Sequence, residues 1–177
     1  MTPLTDYFKS LTASKKDRIK ALDFVKKQPE LLPDLFHLTF SSNVLRENRY
    51  AAWTVELFVL EDLNRFTPYL DLCIDKMVSI SDSSVRRSIS KCLWYYLKEK
   101  DRKNGLNINQ KKKLVNSALD WVITEQKTAP LSFTIKTLVL FQEDFPELKN
   151  QLKGLLLESK RVFPKGLYPT FKIVFKN

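Results

Sequence analysis

Arg86, Arg87 and Lys91, followed by Lys111, Lys112 and Lys113, are the residues whose type and spacing point most directly to a chemistry, the neutralisation of an anion. They lie in a block from residue 83 to 113 that holds ten cations, opposed only by Glu99 and Asp101. The whole chain of 177 residues carries +10. Such a block attracts phosphate or an acidic protein, or else forms a solvated helix face. Arg87 and Lys91 share one face at i, i+4, and Tyr95 and Tyr96 follow on the same segment, a combination that suits nucleic acid.

Other residue types offer less. His37 is the one histidine, so neither a histidine metal site nor a catalytic triad can be assembled from histidines, and it reads as structural or as a helix-end cation. Cys73 and Cys92 sit in apolar helical patterns and read as buried small hydrophobes, with no disulfide implied. Glu61-Asp62, Glu143-Asp144 and the i, i+4 pair Asp71 and Asp75 would do acid–base work only in a cleft that shifts their pKa values. Surface solvation is the expected state. Three scattered glycines, Gly105, Gly154 and Gly166, exclude a phosphate-cradling loop, and their scarcity disfavours a sheet fold rich in hairpins. No cofactor is implied.

The elements that must position these residues are helices. Apolar residues recur at three- and four-residue spacing almost throughout. Helices are predicted over about 14–27, with Ser14 as N-cap, and over a short stretch near 31–38. A third follows a cap at Ser42 or Asn43, a fourth covers 68–80 with Thr67-Pro68 opening it, and a fifth starts after the Ser81-Asp82-Ser83 cluster. Lys100 to Asn107 reads as a loop. A sixth helix spans 109–126 with Leu114, Ala118, Leu119, Val122 and Ile123 inward. A seventh opens at Pro130, an eighth covers 146–161, and a half-helix covers 170–175. Short turns force successive helices to lie antiparallel and adjacent. The absence of an apolar run long enough for a membrane, and of an apolar leader in residues 1–27, predicts a cytoplasmic protein.

Four helix starts align at intervals of 37, 46 and 37 residues, beginning at Asn48, Val85, Leu131 and Tyr168. With Asp82-Ser83-Ser84-Val85-Arg86 and Arg49-Tyr50-Ala51-Ala52-Trp53, the chain resembles the HEAT and armadillo-like helical repeats, whose repeats carry an Asp-x-x-Val-Arg turn and an Arg-x-Ala-Ala pattern. The third and fourth starts lack the Arg. The resemblance is clearest over 43–126. It implies one all-α domain over 1–177, a right-handed α-solenoid (an α-α superhelix) of about four antiparallel helix pairs.

The function expected from this reading is a non-catalytic scaffold for an unidentified protein partner, with a concave face lined by 68–80, 109–126 and 146–161. The alternative is sequence-nonspecific nucleic-acid binding through Arg86, Arg87, Lys91, Lys111, Lys112 and Lys113. Similar short bacterial chains carry an adenylosuccinate lyase label, yet no Ser-Ser-x-Met-Pro segment is present to support that chemistry. Some HEAT-like proteins are DNA glycosylases with a Trp four residues before a catalytic Asp. Only Trp121 with Glu125 approaches that spacing, and Glu is not the residue of the pattern. The three tryptophans are expected mainly as wedges between stacked helices.

Overall fold

The computed structural model describes residues 3–41 and 46–175, and all regular structure among them is helical. The order is α1 (Pro3–Lys9), α2 (Lys15–Lys27), α3 (Leu32–Thr39), α4 (Arg46–Glu61), α5 (Leu70–Lys76), α6 (Ser83–Leu97), α7 (Lys100–Asn104), α8 (Ile108–Thr124), α9 (Thr128–Val139), α10 (Leu148–Lys153) and α11 (Tyr168–Val174). Among the described residues no helix is long and apolar enough to cross a membrane.

Local chemistry sets many of the helix starts. Ser14 accepts from the Asp17 amide, and Asp82 accepts from the amides of Ser84 and Val85. Asn107 and Gln110 form a reciprocal capping box at the head of α8. The proposed cap at Ser42 or Asn43 lies outside the described residues.

Several elements differ from the sequence reading. α1 was not anticipated: Leu4 and Phe8, one turn apart, are fully buried, so tertiary packing holds a segment too short to stand alone. The stretch read as a loop contains α7, anchored by Lys103. That residue is only 8% exposed, and its ammonium donates to the Leu140 carbonyl at 3.0 Å and pairs with Asp144 at 3.3 Å. Thr67 caps nothing; Pro68 lies within a 3-10 stretch over Leu63–Tyr69, opened by Asp62, and the Thr67 hydroxyl bonds Tyr96 Oη at 2.8 Å. α9 begins two residues before Pro130, which its first turn tolerates because the early amides have no helical acceptor. α10 starts at Leu148 and ends in a π-helical turn over Gly154–Glu158. Ile123 faces solvent and not the core, because Leu114, Ala118, Trp121 and Val122 take the inward stripe of α8.

Packing follows a recurrent scheme. α2 packs on α4, α4 on α6, α6 on α9 and α9 on α11, while α3 packs on α4, α5 on α8 and α8 on α9. One contiguous apolar core runs beneath these helices, with Phe8, Phe36, Phe66 and Phe141 fully buried in it. Each such burial stabilises by about 1.5–3 kcal/mol. A polar link recurs between α4 and α6, α6 and the start of α9, and α9 and α11. Arg49 on α4 pairs with Asp82 at the head of α6 at 2.8 Å. Arg86, thirty-seven residues on, pairs with Glu125 ahead of α9 at 3.6 Å. Where the third start lacks Arg, the Ser132 hydroxyl meets the Thr170 hydroxyl of α11 at 2.8 Å.

Candidate functional site

The six basic residues singled out in the sequence separate in the structure. Arg86, Arg87 and Lys91 stand on α6, whereas Lys111, Lys112 and Lys113 stand on α8. Five of the six are paired within the chain. Arg86 also donates to the Ile80 carbonyl at 2.8 Å. Arg87 and Lys91 converge on Glu56 of α4 at 2.9 and 2.8 Å, and Ser88 donates to the same carboxylate at 2.8 Å. Lys111 reaches Asp144, and Lys113 reaches Asp75, each at 2.6 Å. Lys112 is exposed, and no carboxylate pairs with it among the described residues. Glu56 and Asp75 on one side of the basic segment, and Glu125 and Asp144 on the other, thus neutralise much of it.

Of the carboxylates considered for acid–base work, Asp75 and Asp144 are partners in those pairs. Glu61 bonds Lys26 at 2.9 Å and Arg65 at 3.1 Å, and those cations hold its pKa below the usual range against a smaller opposing effect of burial. Burial pushes Asp144 upward, but Lys111 and Lys103 outweigh it and leave its pKa lowered. A general acid needs the opposite shift. Asp71 accepts from the Gln110 amide. Among the described residues no group of three His, Cys, Asp or Glu is placed to hold a metal ion.

Trp121 and Glu125 do not face a cleft. Trp121 is 2% exposed and donates its indole N–H to the Met77 carbonyl at 3.2 Å. Glu125, equally buried, accepts from Ser83 Oγ at 2.9 Å and from the Gln126 and Lys127 amides at 2.8 Å. It ties α6 to the end of α8. Arg161 closes the same end by donating to the carbonyls of Val122, Ile123 and Glu125. Cys73 and Cys92 are free thiols buried completely, and burial raises both pKa values. His37 is exposed in the last turn of α3.

Two surfaces remain open. The first lies on α5, α8 and α10, the helices expected to line a binding face. A groove of about 460 Å³ separates Ile74 and Val78 from Asn116 and Asp120. Another, of about 370 Å³, is lined by Leu119, Ile123, Gln151, Gly154 and Leu155, and its walls are almost wholly apolar. A Cβ added at Gly154 would meet no atom within 4 Å, so the groove is open above the glycine. Val78 is 72% exposed, and Ile123 and Leu157 are each 53% exposed.

The second surface is on α6 and α9. Trp94 and Tyr95 meet edge to face with ring centres 4.7 Å apart, and Phe133 lies 5.9 Å from Trp94. Lys98 sits over Tyr95 at 4.6 Å, and Lys136 sits over Trp94 at 5.1 Å. Sequence reading placed Tyr95 beside basic residues but did not select Trp94, Lys98, Phe133 or Lys136. The signal available was an aromatic followed three residues later by Lys, once on each helix. Of the three tryptophans only Trp121 is a sealed wedge; Trp53 and Trp94 are half-buried.

No family model, curated protein or solved structure matches the chain.

Proposed function

We propose that this protein is a non-catalytic interaction scaffold, a short α-solenoid of about four antiparallel helix pairs whose α5, α8 and α10 side receives a partner protein. The observation that carries the reading is the apolar groove between α8 and α10, with Ile123 and Leu157 exposed beside it. Exposed apolar surface in a continuous patch costs solubility unless something covers it. The recurrence of the Arg49–Asp82 and Arg86–Glu125 links supports stacking of similar units. An amphipathic helix is the occupant that suits a groove between helices, with its apolar stripe on Leu119, Ile123 and Leu155 and Gly154 admitting close approach. The alternative through the six basic residues is less favoured, because five of them already have an intramolecular carboxylate.

A photo-crosslinker placed at Ile123 in cells tests the reading against one at Ile19, an exposed apolar position on α2. A discrete protein adduct at Ile123, absent at Ile19 and lost when Leu155→Glu is added, is the expected outcome. Equal labelling at both positions, or none at Ile123, overturns it.

A further inference from the structure

We propose that the Trp94–Tyr95–Phe133 cluster, with Lys98 and Lys136, is a landing site for single-stranded nucleic acid on the face formed by α6 and α9. This goes beyond the scaffold reading and uses different helices. The three rings are half-buried, so part of each is open to solvent, and Lys98 and Lys136 lie over them. Lys98 and Lys136 both lie within 5.4 Å of the Trp94 ring centre. Neither has an ion pair with a carboxylate among the described residues, whereas Arg87, Lys91, Lys103, Lys111 and Lys113 all do. Two uncompensated ammonium groups brought over one ring repel each other, and a polyanion relieves that repulsion.

Both ends of the cluster extend the same chemistry. At the ends of α6 and α9 lies a groove of about 360 Å³, with Lys98, Lys100 and Gln142 among its polar lining and Glu143 on it paired with Lys103 at 3.7 Å. Lys100 has no carboxylate partner either among the described residues. The side-chain amide nitrogen of Gln142 is buried without a hydrogen-bond partner. Lys98 and Lys100, both exposed, offer donors to a ligand rich in acceptors. Toward the start of α6, Arg87 and Lys91 share the single carboxylate of Glu56, which leaves one positive charge in excess. From Arg87 to Lys98 is eleven residues on one helical face, roughly 16 Å at the helical rise. The track therefore suits an extended polyanion better than a single phosphate.

The rings decide among polyanions. Unpaired bases stack on aromatic side chains, while bases inside a duplex are already stacked and present only edges. An acidic peptide would satisfy the lysines but bring nothing planar to Trp94, Tyr95 and Phe133.

Fluorescence anisotropy with a labelled oligothymidylate of about twelve nucleotides tests this directly. Binding at low salt is expected, with affinity falling on a log–log salt plot. The double variant Lys98→Gln/Lys136→Gln should weaken binding about tenfold and make the salt slope shallower by about two. Tyr95→Leu should weaken it about tenfold without changing the slope. Lys112→Gln, on α8, should leave affinity unchanged. Both lysines are at the surface, so unchanged thermal melting separates lost contact from lost fold. The proposal is overturned by no binding at low salt, by equal loss in Lys112→Gln, by tighter binding of the same sequence as a duplex, or by equal competition from polyglutamate. Loss of oligonucleotide binding in the double variant leaves crosslinking at Ile123 intact, so the two readings fail separately.

Discussion

Glu56 on α4 and Lys91 on α6 meet at 2.8 Å, thirty-five residues apart in the chain, with Glu56 6% exposed. Arg87 and Ser88 complete its shell, so this one side chain ties α6, the helix after the Asp82 cap, to α4.

Removing that carboxylate should cost more than removing either cation. Glu56→Ala leaves Arg87 and Lys91 without their partner, but both keep partial access to water. The expected loss is about 2 kcal/mol, between an exposed pair and the roughly 3–5 kcal/mol of a broken buried one. Lys91→Ala, with Arg87 still in place, should cost about 1 kcal/mol. Urea denaturation of the two variants checks the order. Replacing Glu56, Arg87 and Lys91 together with Met should recover most of the loss, since no charge is then stranded. A Glu56→Ala variant as stable as the parent would remove the network from the account of helix stacking.

Asp17 gives a pH signature at the other end of the molecule. The Thr12 hydroxyl at 2.6 Å and the Thr12 amide at 2.9 Å, assisted by Lys20, lower its pKa from 3.8 to about 2. A depressed carboxylate pKa stabilises the fold above the unfolded value and ceases to do so as pH falls through the folded one. Stability should therefore drop between about pH 4 and 2, and Asp17→Asn should flatten that part of the profile. Asp144 and Glu61, also lowered, contribute in the same direction. Carbon-detected titration of the Asp17 carboxyl should place its midpoint near 2. A midpoint near 4 would remove the Thr12 bonds from the solution structure.

Both thiols should be silent in the native protein. Cys73 and Cys92 are fully buried, and burial holds each in the neutral form, which is a poor nucleophile. Ellman's reagent should titrate neither thiol in buffer and both in urea. Rapid native labelling of either would mean that the α4–α6 layer opens far more readily than its packing implies.

The sequence by itself determined that this chain is helical, roughly where most helices lie, and which residues cap some of them. Those features are local: a three- to four-residue apolar period and side chains that reach an amide two or three residues away, as Ser14, Asp82 and Asn107 do. Burial of the two cysteines was legible for the same reason. Tertiary structure alone decided which charges remain free. Lys113 finds Asp75 thirty-eight residues away, and Lys111 finds Asp144 thirty-three away, while Lys98 and Lys136 find only rings. It also decided that α1 and α7 exist, because their stability comes from the sockets that receive Phe8 and Lys103 and not from their own few residues. Charge in a sequence is a sum, whereas charge on a surface is what is left after distant partners have met.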